Sequence, residues 1–241
     1  MREILLICRK ECLSLLRSTL SWCAFAGFVA ATGAIFSTIL RDSVGTSEQL
    51  PAILCTALHL AVCIPVSMFT MNLFAGERTS GTIETLMTSP VNDSQIVLGK
   101  YIAAFIMTCI AIAAAYIVFP AYLAMAAPQP RYSGLSLAAG IVVVVIFAAM
   151  WTAVGTLLSL MSRHQAPPAI LTIIITLTFS ALFTGNIIGF ESVLSALRID
   201  IADFARGNAD SRVIFFAVST TVFLLFWAVR VLESRRWISS K

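Results

Sequence analysis

The chain reads as an all-α polytopic membrane protein with six transmembrane helices, an N-terminal interfacial helix, and a short cytoplasmic amphipathic helix between the second and third spans. Three observations predict this class. Six stretches carry no Asp, Glu, Lys or Arg, from 17 residues between Arg212 and Arg230 up to 31 between Arg131 and Arg163. The residues are 59% hydrophobic and only 12% charged, a balance that leaves no room for a soluble core of ordinary size between the spans. One polar connector, residues 77–95, holds apolar residues at helical spacing in otherwise hydrophilic surroundings.

The charge-free gaps run from Arg17 to Arg41, Glu48 to Glu77, Lys100 to Arg131, Arg131 to Arg163, Arg163 to Glu191 and Arg212 to Arg230. A helix rising about 1.5 Å per residue needs roughly 20 apolar residues to cross about 30 Å of hydrocarbon. The first five gaps clear that length, and the last reaches it when its two arginines snorkel to the interfaces. The chain is thus one membrane domain, 1–241, with spans near 20–40, 52–75, 97–126, 134–161, 167–190 and 211–231, and an external connector at 191–210.

Ahead of the first span, residues 1–19 place Glu3, Lys10 and Arg17 seven apart on one helical face, with Ile4, Leu5, Ile7, Cys8, Leu15 and Leu16 as apolar surface. This pattern predicts a helix lying on the cytoplasmic leaflet. The apolar stretch that follows is longer than the core of a secretory signal, so the first span is expected to stay. Pro65 and Pro120 each remove a backbone donor and invite a kink in spans 2 and 3. Pro167 and Pro168 suit the opening turn of span 5. Residues 191–212 alternate apolar side chains with Asp200, Asp203 and Arg206, predicting short interfacial helices there.

With the N-terminus inside, the cytoplasmic side receives Arg2, Arg9, Lys10, Arg17, Arg78, Lys100, Arg163, Arg230, Arg235, Arg236 and Lys241, and the other side Arg41, Arg131, Arg198, Arg206 and Arg212. This distribution puts both termini in the cytoplasm by the positive-inside rule. A net charge of +4 is accounted for by that bias and by inner-leaflet lipid contact, and gives no reason to expect nucleic acid. Cys23, Cys55, Cys63 and Cys109 lie inside apolar runs and Cys8 and Cys12 precede them, an arrangement of small buried hydrophobes rather than a disulfide framework.

In the 77–95 connector, Ile83, Leu86 and Met87 follow i, i+3, i+4 spacing, predicting a short helix from about Thr82 to Ser89 with an apolar knob. Pro90 ends it, because the residue before a proline is pushed out of the helical region. Asn92 as N-cap and Gln95 at the third helical position then start the next helix. A knob held in water beside two spans either packs on its own bundle or fills a groove on another protein.

The wording of this segment adds to its periodicity. Phe74-Ala75-Gly76-Glu77-Arg78-Thr79-Ser80-Gly81-Thr82-Ile83-Glu84-Thr85-Leu86-Met87-Thr88-Ser89-Pro90-Val91, continuing through Ile96-Val97-Leu98-Gly99-Lys100, resembles the signature of ABC-2 type transporter permeases. At the other end Phe204-Ala205-Arg206-Gly207, Asp210-Ser211-Arg212 and Leu232-Glu233-Ser234-Arg235-Arg236-Trp237 resemble the gliding-motility-associated branch of those permeases. The resemblance implies a bacterial inner-membrane subunit of an ABC transporter, favouring export. Its separate nucleotide-binding ATPase subunit would carry ATP and Mg. Carried over residue by residue, Glu77, Arg78, Gly81, Thr82, Glu84 and Leu86 would transmit movement to that subunit, while Ile83, Leu86 and Met87 would fill its groove. The family's usual residue at Met87 is Leu, a volume-conserving change. Six spans are half of a usual translocation unit, so a second permease subunit, the same chain or a paralogue, is a further expected partner, together with an accessory membrane or periplasmic protein.

Several chemistries have little to stand on. A phosphate-binding loop needs G-x-x-x-x-G-K-[ST], and the nearest stretch begins with Ser94 and ends with Tyr101. No catalytic residues are expected, and no cofactor is bound by this chain itself. An ion channel, a secondary carrier or a membrane scaffold is the alternative, though ion-coupled carriers usually keep carboxylates inside the membrane and these six cores have none. Cys55, His59 and Cys63, spaced i, i+4, i+8, share one face of span 2. Three ligands in line cannot close a tetrahedral metal site, which favours a buried histidine bonded to a neighbouring helix. The cargo-binding residues are not legible in the sequence.

Overall fold

A computed structural model describes residues 2–42, 50–79, 81, 92–126, 134–183 and 211–239. These residues are helical apart from short turns. In chain order the helices are α1 (Arg2–Arg17), α2 (Thr19–Asp42), α3 (Leu50–Ala61), α4 (Cys63–Met71), α5 (Ala75–Thr79), α6 (Asp93–Ala126), α7 (Gly134–Met161), α8 (Ala166–Phe183) and α9 (Ser211–Ser239). The segments predicted as the apolar knob, residues 82–89, and as the external connector, 191–210, lie outside the described residues.

Five helical stretches are long and apolar enough to cross a bilayer: Thr19–Ile39, Leu50–Thr79, Asp93–Phe119, Leu137–Met161 and Ser211–Ser234. The fifth apolar run contributes Ala166–Ser180, a shorter stretch, with the rest of that run falling beyond Phe183. Span 2 is the most enclosed of the five and α2 and α9 the least. In span 2, α3 and α4 are separated only by Val62, which keeps helical dihedrals, with Val62 N bonding Leu58 O at 3.0 Å and Val66 N bonding Val62 O at 3.2 Å. Pro65 accounts for the interruption, since it has no N–H to offer the carbonyl of Ala61 four residues back. Helix α6, by contrast, runs on through Pro120. Pro167 and Pro168 occupy the first turn of α8.

The α3–α4 span is packed by α2, α6, α7 and α8, α1 lies along α6, and α9 lies along α7. Phe28, Leu54, Leu58, Val66, Ile112 and Phe147 form the larger apolar core. A second core, with Leu15, Phe69, Phe74, Ile96, Met107 and Leu232, closes the end of the bundle that carries α1 and α5. Polar side chains inside the cores are mostly threonines that bond their own helix four residues back, as Thr32, Thr70, Thr108, Thr152 and Thr172 do at 2.7 to 2.9 Å. Such bonds satisfy a hydroxyl without committing it to a neighbour.

Candidate functional site

At the α5 end, span 2 must turn out of the bundle, and a helix end buried there leaves carbonyls and amides to be satisfied. Ser159 of α7 does this with one hydroxyl. Its Oγ accepts from Phe74 N at 3.2 Å and Ala75 N at 3.3 Å, and donates to Met71 O at 3.1 Å. The turn through 72–74 is thereby pinned to α7 before α5 begins. Arg78 of α5 donates from Nη1 to Ser162 O at 2.7 Å, just past the last turn of α7. A cation placed there also suits the negative end of the α7 dipole. Gln165 Nε2 reaches Thr79 Oγ1 at 3.3 Å.

The centre of this end is Lys100 on α6, whose side chain is 1% exposed. Its ammonium has three donors, and three acceptors surround it: Glu11 Oε1 at 2.9 Å, Glu77 Oε1 at 2.8 Å and Leu73 O at 2.8 Å. The Phe74 ring lies below it, 5.3 Å from the nitrogen, adding cation–π attraction. An unpaired ammonium could not be kept at such burial. One lysine therefore fastens together α1 through Glu11, the end of α4 through Leu73, α5 through Glu77, and its own α6.

Gly99, next to it, is what lets α1 approach. A Cβ at that position would stand 2.9 Å from Ile7 Cγ2, 3.0 Å from Ile7 Cβ and 3.3 Å from Ile4 O, so any larger residue pushes α1 off α6. Cys12 of α1 points its Sγ at Ala103 O, 3.8 Å away. Burial, with Cys8 and Glu11 adding to it, pushes the Cys12 thiol up to about 11.

Of the residues singled out in the sequence, Glu77 and Arg78 come together on α5, and Gly81 follows them with φ +73°, a left-handed conformation that costs other L-residues energy. Its N–H bonds Arg78 O at 3.3 Å. Thr82, Ile83, Glu84, Leu86 and Met87 lie outside the described residues. The far side of the connector starts as predicted: Asn92 O accepts from Gln95 N at 2.9 Å, and Gln95 Oε1 accepts from Asn92 N at 3.4 Å. Glu11, Ser159 and Ser162 were not anticipated. Glu11 had a signal, since it lies between Cys8 and Leu15, the two buried residues of α1. The serines had none. Far from this end, His59 shares Nε2 with Ser180 Oγ of α8 at 3.1 Å and packs edge-on against Phe147. Cys63 Sγ bonds Leu60 O of its own span, and no group of three metal-capable side chains occurs among the described residues.

The family model for the ABC-2 family transporter protein matches residues 5–197. That stretch contains Glu11, Glu77, Arg78, Lys100, Ser159 and Ser162. The chain belongs to the ABC-2 transporter family. No curated protein matches it. As an ABC-2 permease it is the multi-pass membrane subunit of an ABC transporter, a transport component typically without catalysis of its own, and the family works with an ATPase partner. What the Lys100 arrangement offers such a permease is mechanical: three helices and the turn leading into the connector meet at one buried cation.

Proposed function

We propose that this permease takes up movement from a separate nucleotide-binding subunit through residues 77–95 and distributes it to the spans through Lys100. The supporting observation is the joint Lys100 bond to Glu77 and Glu11, which ties the connector's first turn to α6 and α1. Glu77, Arg78 and Gly81 set the path of the chain, and Thr82, Ile83, Glu84, Leu86 and Met87 form the docking helix that fills the partner's groove. ATP and Mg belong to that partner. In this reading the permease has six spans, with α1 lying in the inner leaflet and both termini in the cytoplasm of a bacterial inner membrane. A second permease subunit, identical or paralogous, completes the path, and the direction is export. The gliding-motility-associated branch is the subfamily favoured by Phe204–Gly207 and Leu232–Trp237.

The test is recovery of partners from native membranes in mild detergent, comparing the tagged wild-type chain with Leu86→Asp/Met87→Asp by mass spectrometry. An ATP-binding subunit is expected with the wild type and lost with the double variant. Wild-type preparations that carry no ATPase would overturn the proposal. A variant that loses the partner's ATPase stimulation while keeping its own fold separates coupling from mere anchoring.

A further inference from the structure

Helix α1 gives its inner face to α6 and leaves an outer arc that is exposed among the described residues. Along that arc Leu6, Lys10, Leu13 and Arg17 recur at i, i+4, i+7 and i+11, all exposed, with Leu6 at 57% and Leu13 at 43%. Lys10, Leu13, Ser14, Arg17 and Ser18 line a cleft of about 470 Å³. Among the described residues no carboxylate pairs with Lys10 or Arg17. The arc's own acid, Glu3, stands about 10 Å further along the helix from Lys10.

The level of this cleft is set by its neighbours. Ser18 is the single residue between α1 and α2, and α2 is apolar enough to cross a bilayer from Thr19 onward. Trp22, one turn into α2, is exposed and donates Nε1 to Leu16 O at 3.1 Å. An outward tryptophan with its N–H turned toward the polar side is the placement of an interfacial aromatic. The cleft is therefore at headgroup depth, and the same outward arc carries two leucines and two cations that have no carboxylate partner among the described residues.

We propose that this cleft is a binding site for the headgroup of an anionic phospholipid, with Lys10 and Arg17 holding the phosphodiester and the Ser14 and Ser18 hydroxyls donating beside them. A soluble acidic protein would satisfy the cations but leave Leu6 and Leu13 in water; a lipid satisfies both. The site requires only that α2 crosses the membrane, so it stands or falls separately from ATPase coupling.

The experiment is titration of the full chain in neutral detergent with short-chain phosphatidylglycerol and with phosphatidylcholine of the same chain length, read as bound lipid by native mass spectrometry. Phosphatidylglycerol is expected to bind more tightly. Each cation near a charged leaflet contributes about fivefold, so Lys10→Gln/Arg17→Gln loses about 25-fold and equalises the two lipids. Lys10→Arg/Arg17→Lys keeps the preference. Should the neutral pair fail to fold, Arg17→Gln alone carries the test with about a fivefold loss. Equal binding of both lipids by the wild type, or undiminished phosphatidylglycerol binding by the neutral variants, overturns the proposal. Displacement of the lipid by inorganic phosphate or by polyglutamate at equal charge also overturns it, since the site would then read an anion or an acidic chain and not a lipid.

Discussion

Replacing Lys100 with methionine tests the central joint most directly, because the new side chain fills the apolar stem while removing only the ammonium. Glu11 Oε1 and Glu77 Oε1 both lie within 2.9 Å of the Lys100 nitrogen, which puts the two oxygens within about 6 Å of each other. At an effective dielectric constant near 20, two like charges at about 6 Å repel by about 3 kcal/mol. The carboxylates are 14% and 16% exposed, so water screens some of this and about 2 kcal/mol remains. The loss of three hydrogen bonds, including that to Leu73 O, brings the total to roughly 3–5 kcal/mol, the usual cost of breaking a buried pair from one side. At roughly 2–4 °C per kcal/mol, thermal unfolding followed by tryptophan fluorescence in mild detergent should fall by about 10 °C. Lys100→Met/Glu77→Gln removes the repulsion as well and should regain about 2 kcal/mol relative to the single variant. A single variant melting within about 2 °C of wild type, or a double variant no more stable than the single, would refute the assignment of Lys100 as the electrostatic joint.

Ser180→Ala should cost about 1 kcal/mol, since it strips the Nε2 partner from His59, whose Nδ1 has none among the described residues; His59→Leu should cost less, because it removes both nitrogens, and thermal melting compares them. Gly99→Ala should destabilise by about 1–3 kcal/mol, with Ile7→Ala recovering part of it by trimming the atom 2.9 Å from the new Cβ; non-additive melting temperatures are the readout. Cys12 should react with iodoacetamide at pH 8 about 100-fold more slowly than in the unfolded chain, as expected when a thiol moves from 9.0 to about 11. The folded state favours its neutral form, so this contribution to stability is complete below pH 9 and disappears as pH rises toward 11; peptide mass mapping over a pH series checks both statements.

The helices were legible because apolar runs in this chain are bounded by charges, and in a membrane that boundary is also where hydrogen bonding to water resumes. An interruption of span 2 was legible from Pro65, though not its exact residue, Val62. The helix start at Asn92 was legible because capping is a local backbone need, whereas the left-handed conformation of Gly81 came only from the structure. Lys100 was visible as the end of a motif and as a cytoplasmic charge bounding an apolar run, but not as a buried joint. Its environment joins residues 89 and 23 positions apart, and no periodicity in one helix reports which acid on another will meet it. Ser159 and Ser162 show the same limit, since a serine near the end of an apolar run looks alike whether it faces lipid or caps a neighbour.

The threonines that bond their own helices have a consequence for how this bundle can move. Between described residues, side-chain bonds that cross from one helix to another gather at the α5 end, with His59–Ser180 the exception deeper in. The buried threonine hydroxyls are engaged within their own helices, so these residues put no polar contact in the way of neighbouring spans that slide or tilt. A bundle built this way is gripped at one end and slippery along its length. If movement is applied at the grip, as proposed above, α1, α6 and α7 are the helices tied to it by polar side-chain bonds.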